Sequence, residues 1–142
     1  MYNILVTGAD GQLGSELIEI AHNYPEYTFI FTDIKDLDIT EHTIVATFIE
    51  INNINIIINC AAYTAVDKAE SEPEISNAIN HLAVANFAQI AKEKNIKFVH
   101  ISTDYVFDGA NYKPYIETDT PNPQSVYGKT KLDGELAIQQ IN

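Results

Sequence analysis

Apolar residues in this chain alternate between short runs and helix-spaced stripes. Residues 3–7 (Asn-Ile-Leu-Val-Thr) form a short apolar run, followed by a glycine-bearing turn and then Leu13, Leu17, Ile18 and Ala21 at helical spacing. This predicts strand, turn, helix. Residues 27–32 are rich in β-branched and aromatic side chains and end at Asp33, and residues 41–51 return to helical spacing after Thr40, a capping candidate. Residues 54–59 are almost continuously apolar, as expected of a parallel strand covered on both faces. A long helical stretch over 74–94 carries Ile75, Ile79, Leu82, Phe87 and Ile90, and residues 97–102 complete a fourth strand. Loop-like residues with Gly109, Pro114, Pro121 and Pro123 then lead into a last helix over 125–140.

Strands alternating with helices predict βαβ units and therefore an α/β fold, a Rossmann-type doubly wound parallel sheet with expected strand order 3-2-1-4. Such sheets usually have more strands, so the pattern reads as truncated after about four. The 142 residues suit one core, taken as a single dinucleotide-binding domain over 1–142. An uncovered apolar sheet edge and bare helix faces would then favour self-association or another partner.

Composition removes several function classes. No run approaches the ~20 apolar residues a membrane crossing needs, and the chain opens directly into its first strand, so a cytoplasmic protein is expected. Cys60 is the sole cysteine, which excludes an internal disulfide and a cysteine-based metal site. The net charge of -12, from eight Lys and no Arg against 20 acidic residues, argues against nucleic acid. A single dinucleotide is compatible with this acidity, because backbone N–H groups at a helix start hold a pyrophosphate without basic side chains.

Such a start lies in the first turn. Gly8, Gly11 and Gly14 have the spacing G-x-x-G-x-x-G between strand and helix. Gly8 would allow the tight turn, Gly11 the approach of a pyrophosphate, and Gly14 close packing of helix on strand. Asp33 stands at the end of the second strand, where a carboxylate can accept from the adenosine ribose hydroxyls; its other reading is a solvated turn residue. Its charge would repel a 2'-phosphate, so NAD(H) is favoured over NADP(H), with Lys35 keeping NADP(H) open. Asp38 and Ile39 could flank the adenine. The small residues of Asn59-Cys60-Ala61-Ala62-Tyr63 would let the chain pass beneath a cofactor, or simply make a compact turn. Cys60 reads as an inert thiol.

Tyr127 and Lys131 stand four residues apart, on one face of the last helix. A nearby ammonium favours the phenolate, which suits a tyrosine to proton transfer. Thr103, just beyond the fourth strand, could reach the same crevice and hydrogen-bond a substrate carbonyl. The histidines His22, His42, His81 and His100 lack ligand spacing; they read as surface or packing residues, and no metal site is indicated.

Longer strings are more specific. Tyr63-Thr64-Ala65-Val66-Asp67-Lys68-Ala69-Glu70, the run Ser102-Thr103-Asp104-Tyr105-Val106-Phe107-Asp108-Gly109, the run Tyr115-Ile116-Glu117-Thr118-Asp119, and the segment from Tyr127 to Glu135 together resemble the dTDP-4-dehydrorhamnose reductase family, in the extended branch of the short-chain dehydrogenase/reductase superfamily. The resemblance implies NAD(P)H-dependent reduction of the 4-keto group of dTDP-4-dehydro-L-rhamnose to dTDP-L-rhamnose. It implies that Gly11, Gln12, Leu13, Asp33, Asp38, Ile39, Ala61, Ala62 and Tyr63 line the cofactor, and that Thr103 and Asp104 meet the sugar. Lys131 would hold the nicotinamide ribose beside Tyr127. Members of the family run to roughly twice this length, the later part enclosing the sugar nucleotide; that substrate-binding part is expected to be absent here, and the fragment alone to be inactive or weak. Two other readings stand beside this one: a non-catalytic dinucleotide-binding or regulatory subunit, and another nucleotide-sugar epimerase or dehydratase of the extended type.

Overall fold

A computed structural model describes residues 2–141. Strands β1 (Tyr2–Thr7), β2 (Tyr27–Thr32), β3 (Ile54–Asn59) and β4 (Lys97–His100) form one parallel sheet. Helices α1 (Gln12–Ala21), α2 (His42–Ile51), α5 (Ala83–Lys94) and α6 (Val126–Ile141) follow or connect them. Two short helices, α3 (Val66–Ala69) and α4 (Pro73–Asn77), lie between β3 and α5. The fold is the Rossmann-like α/β architecture that the alternation predicts.

The strand order is β2-β1-β3-β4, which corrects the expected 3-2-1-4. Two features explain the difference. Residues 33–41 do not extend along β2 but fold into turns: Asp36 and Leu37 donate backbone N–H groups to the Asp33 carbonyl, and Asp38 Oδ1 accepts from both the N–H and the hydroxyl of Thr40. The β3 run is also too apolar for an edge. With Ile57 and Asn59 fully buried, it sits between β1 and β4, while β2, mostly half-exposed, takes the rim. Thr40 is thereby engaged with Asp38 and does not cap α2; Glu41 precedes that helix without a side-chain cap.

The core gathers Leu5, Ile57, Val45, Ile49, Ile54, Phe87 and Ile90 between the sheet and the α2 and α5 helices, with Leu37 and Ile39 closing it from the turn after β2. Helices return to strands through left-handed asparagines, Asn53 (φ 49) before β3 and Asn95 (φ 55) before β4, a conformation asparagine tolerates better than most residues. The stretch expected as one helix over 74–94 contains a π-helical turn, Ala78–Leu82, between α4 and α5. The wider turn lets α6 approach: a Cβ on Gly134 would lie 2.4 Å from the Asn80 carbonyl oxygen, so only glycine fits. β4 ends at His100, two residues short of the expected Ser102, and at that edge Val99 and Ile101 are exposed.

Candidate functional site

All four strands are parallel, so their carboxyl ends share one edge. The chain steps from β1 outward to β2 and then crosses back over β1 to β3 on its other side, and this reversal of direction opens a crevice where open α/β sheets bind ligands. A cavity of about 640 Å³ occupies it, lined by Gly8, Gly11, Gln12, Leu13, Asp33, Asp38, Ile39, Ala61 and Ala62 among others. Nine of the sequence-derived cofactor positions are therefore brought together. Ile34, Leu37, Cys60, Thr64 and Ile79 complete the wall; Cys60 lies in the small-residue run and Thr64 in one of the longer strings, whereas Ile34 and Leu37 carried only hydrophobicity beyond the strand end as a signal.

The turn is built around Gly8, whose φ of +67 is a left-handed conformation and whose Cβ would meet the backbone of Ala61 at 2.6 Å. Gly14 does not line the cavity. It faces the turn, where a Cβ would come within 2.3 Å of the Gly8 carbonyl oxygen. The start of α1 carries no side-chain cap and no acidic residue in its first turn, so its leading N–H groups remain available to an anion. Asp33 accepts from the backbone N–H of Asp10 and of Ile34, leaving carboxylate lone pairs for a further donor. Free donors at a glycine cradle beside a carboxylate suit a pyrophosphate joined to a ribose. Burial pushes the Cys60 thiol up, as befits an unreactive cysteine.

Tyr63 is held away from the cavity wall. Its backbone N–H and carbonyl both bond the Asn80 side chain, and its hydroxyl donates to Glu72, which raises the phenol's pKa. Asn80 also reaches the Thr130 hydroxyl at 3.2 Å, so the π-helical turn joins the loop after β3 to α6.

Tyr127, Lys131, Thr103 and Asp104 lie at the β4 side of the same edge, outside the cavity lining. Thr103 caps the 3-10 turn Asp104–Val106, its hydroxyl accepting from the Tyr105 N–H. The Tyr105 ring meets Tyr127 edge-on at 5.4 Å, and Gly128 lets α6 press on this turn, since a Cβ there would lie 2.2 Å from the Tyr105 carbonyl. Lys131 is 2% exposed; its ammonium donates to the Ile101 carbonyl and stands 3.4 Å from His100 Nε2. Burial lowers its pKa to about 8, against an opposing pull from Glu135. His100 falls to about 4, from burial and the Lys131 charge.

His100 is more than the packing residue that sequence alone suggests. Thr7, Asn59 and His100 end three neighbouring strands in register, and they form one hydrogen-bonded row across the carboxyl edge. Three apolar strands each closing on a polar residue was the signal for it. No group of three or more metal-ligating side chains occurs among the described residues, and no described helix is long and apolar enough to cross a membrane.

Comparison with known proteins places this geometry. A dTDP-4-dehydrorhamnose reductase from Aggregatibacter actinomycetemcomitans is 42% identical over 142 residues, covering 100% of this chain and 48% of that protein. The crystal structure of a dTDP-4-dehydrorhamnose reductase from Clostridium acetobutylicum superposes with a TM-score of 0.93 at 45% identity, over 99% of this chain and 50% of that one. That of Bacillus anthracis, in complex with NADP, has the same TM-score of 0.93 at 39% identity, over 100% and 51%. The chain thus spans about half the length of the relatives it matches. The model of the RmlD substrate binding domain family matches residues 2–142, and the chain belongs to that family.

Proposed function

We propose that this chain is the dinucleotide-binding part of an NAD(P)H-dependent oxidoreductase that reduces the 4-keto group of dTDP-4-dehydro-L-rhamnose to give dTDP-L-rhamnose. The observation that carries the reading is the convergence of the glycine turn, the free start of α1, Asp33 and Ala61 on one cavity at the sheet's reversal point. That the Bacillus anthracis relative was solved in complex with NADP supports a nicotinamide cofactor. A substrate-binding part following this domain would enclose the sugar.

In this reading the dinucleotide supplies the hydride. The backbone N–H groups at Gln12 and Leu13 would hold the pyrophosphate, and Asp33 would accept from the adenosine ribose. Asp38 and Ile39 would flank the adenine, and Ala61 and Ala62 would leave room beneath the ligand. Thr103 orients the carbonyl oxygen of the sugar through its hydroxyl, with Asp104 beside it. The Tyr127 phenol donates the proton that this oxygen needs when the carbonyl carbon is reduced, and Lys131 supports the phenol and the nicotinamide ribose. Each turnover moves one hydride to carbon and one proton to oxygen.

Two measurements test the proposal. NADH and NADPH titrated into the purified chain should each enhance nicotinamide fluorescence on binding, and failure of both would remove the cofactor assignment. The whole protein containing this chain should oxidise NAD(P)H when given dTDP-4-dehydrorhamnose. Cofactor binding without that turnover would leave a regulatory subunit or a different sugar-nucleotide enzyme as the answer.

A further inference from the structure

A buried polar row crosses the sheet edge from β1 to α6, and its donors and acceptors cannot all be satisfied in every protonation state. The Thr7 hydroxyl lies 2.6 Å from Asn59 Oδ1, and the Ala61 backbone N–H reaches the same oxygen at 3.2 Å. A backbone N–H only donates, so Ala61 fixes the orientation of the Asn59 amide. Its Nδ2, also a donor, is therefore the atom that faces His100 Nδ1 at 3.1 Å. His100 Nδ1 must then be bare, and the one proton of a neutral imidazole sits on Nε2. That N–H points at Lys131 Nζ, 3.4 Å away. An ammonium has no lone pair to receive it. The row has matched partners throughout only when Lys131 is a neutral amine, donating to the Ile101 carbonyl and accepting from His100.

We propose that His100 is a positioning residue that sets the protonation state of Lys131, its Nε2–H opposing the ammonium form while Asn59 and Ala61 lock the imidazole tautomer. The long 3.4 Å separation agrees with a contact that is not a good hydrogen bond in the charged state. Burial lowers both groups, Lys131 to about 8 and His100 to about 4, the latter also through the Lys131 charge.

Burial by itself already disfavours the Lys131 ammonium, and the His100 N–H adds to it. On its own helix Tyr127 lies one turn before Lys131 and Glu135 one turn after, and the Glu135 charge acts in the opposite direction. From the elements packed on α6, Ser76 and Asn80 bond Thr130 and carry no charge, Glu70 bonds the Val126 N–H, and the 3-10 turn presents the Tyr105 ring to Tyr127. The inference rests on the proposed reductase reading only for its catalytic consequence, that the Tyr127 phenol works beside a lysine held near its point of deprotonation. The titration itself can be measured on the chain whatever reaction it serves.

The experiment uses the protein with 13Cε-labelled lysine and 15N-labelled histidine. In the wild type, the His100 ring nitrogens should report the Nε2–H tautomer between pH 6 and pH 9, on the order of the range where an ordinary imidazole is neutral. An Nδ1–H tautomer, or an imidazolium at neutral pH, overturns the proposal without any variant. In His100→Gln the new amide can turn an oxygen to Lys131, and the Lys131 13Cε midpoint, assigned by its loss in Lys131→Met, should rise by about one unit or more, a tenfold gain in proton affinity. An unchanged or lower midpoint in a folded variant also overturns it. If His100→Gln does not fold, the wild-type tautomer decides.

Discussion

The Asp33 carboxylate accepts a hydrogen bond from the backbone N–H of Asp10 at 3.0 Å, tying the end of β2 to the glycine turn after β1. The residue that would receive the ribose thus also shapes the loop that would receive the pyrophosphate. Asp33→Ala removes both functions together with the charge, and should weaken NADH by about tenfold or more for a charge-assisted contact and NADPH by less. Asp33→Asn keeps an acceptor for the Asp10 N–H but discards the charge. It should raise NADPH affinity relative to NADH, by about tenfold for ~1.4 kcal/mol of removed repulsion. Fluorescence titration of both dinucleotides against each variant checks the pair, and an unchanged ratio in Asp33→Asn would separate Asp33 from the ribose.

The glycines of the turn differ in what they tolerate. A Cβ on Gly11 meets only the Gly8 carbonyl, at 3.2 Å, whereas one on Gly14 would lie 2.3 Å from that oxygen and 2.6 Å from the Ala9 Cα. Gly11→Ala should fold with a stability change of about 1 kcal/mol or less and lose dinucleotide affinity, because the added methyl stands where a phosphate must approach. Gly14→Ala must push the α1 helix off the turn and should lose roughly 3 kcal/mol, read as a lower midpoint in urea. Equal destabilisation by both would show that Gly11 is structural as well.

Local rules explain which features the sequence disclosed. Strand and helix periodicity, the glycine spacing and the Tyr127–Lys131 interval are all contained within one element or one turn, so they survive without knowledge of the rest. Strand order is different, because it depends on which strand tolerates exposure; the buried Ile57 and the half-exposed β2 decide that only once the core is assembled. The π-helical turn depends on Gly134, more than fifty positions from Asn80, giving no local mark. His100 was marked only as the polar close of an apolar strand. Its neighbours in sequence are apolar or polar in an ordinary edge-strand pattern, and its hydrogen-bond partners come from β3 and α6.

Half-buried His100 and buried Lys131 make stability depend on pH in a defined direction. The folded state holds His100 at about 4 against 6.5, so between those values the unfolded chain binds more protons and stability falls as pH drops. Above pH ~6.5 that contribution is fully present. Lys131 titrates at about 8 when folded against 10.5, so stability rises with pH across that window and gains nothing below it. After allowance for solvent screening, each effect is on the order of 2 kcal/mol. Thermal melts from pH 4 to pH 10 should show Tm rising from 4 to 6.5 and again above 8. In His100→Gln the acid slope should shrink, and an undiminished slope there would assign it to the carboxylates.

Lys131 should cost the fold stability that the proposed chemistry requires. Its ammonium is almost fully buried, with one carbonyl as a good partner and an imidazole N–H against it. Methionine has a similar length and no charge to desolvate, so Lys131→Met should stabilise the chain by roughly 1–2 kcal/mol at pH 7, despite leaving the Ile101 carbonyl without its donor. The same variant should lose reductase turnover in the whole protein, as should Tyr127→Phe, while pyrophosphate and adenosine contacts keep much of the dinucleotide affinity. Tyr127→Phe removes no buried charge and should leave Tm nearly unchanged, which separates the catalytic loss from the stability gain. Urea unfolding at pH 7 and again at pH 10 checks the argument: the advantage of Lys131→Met should shrink at the higher pH, where the native lysine is already neutral, and an advantage independent of pH would mean that packing rather than charge is its source.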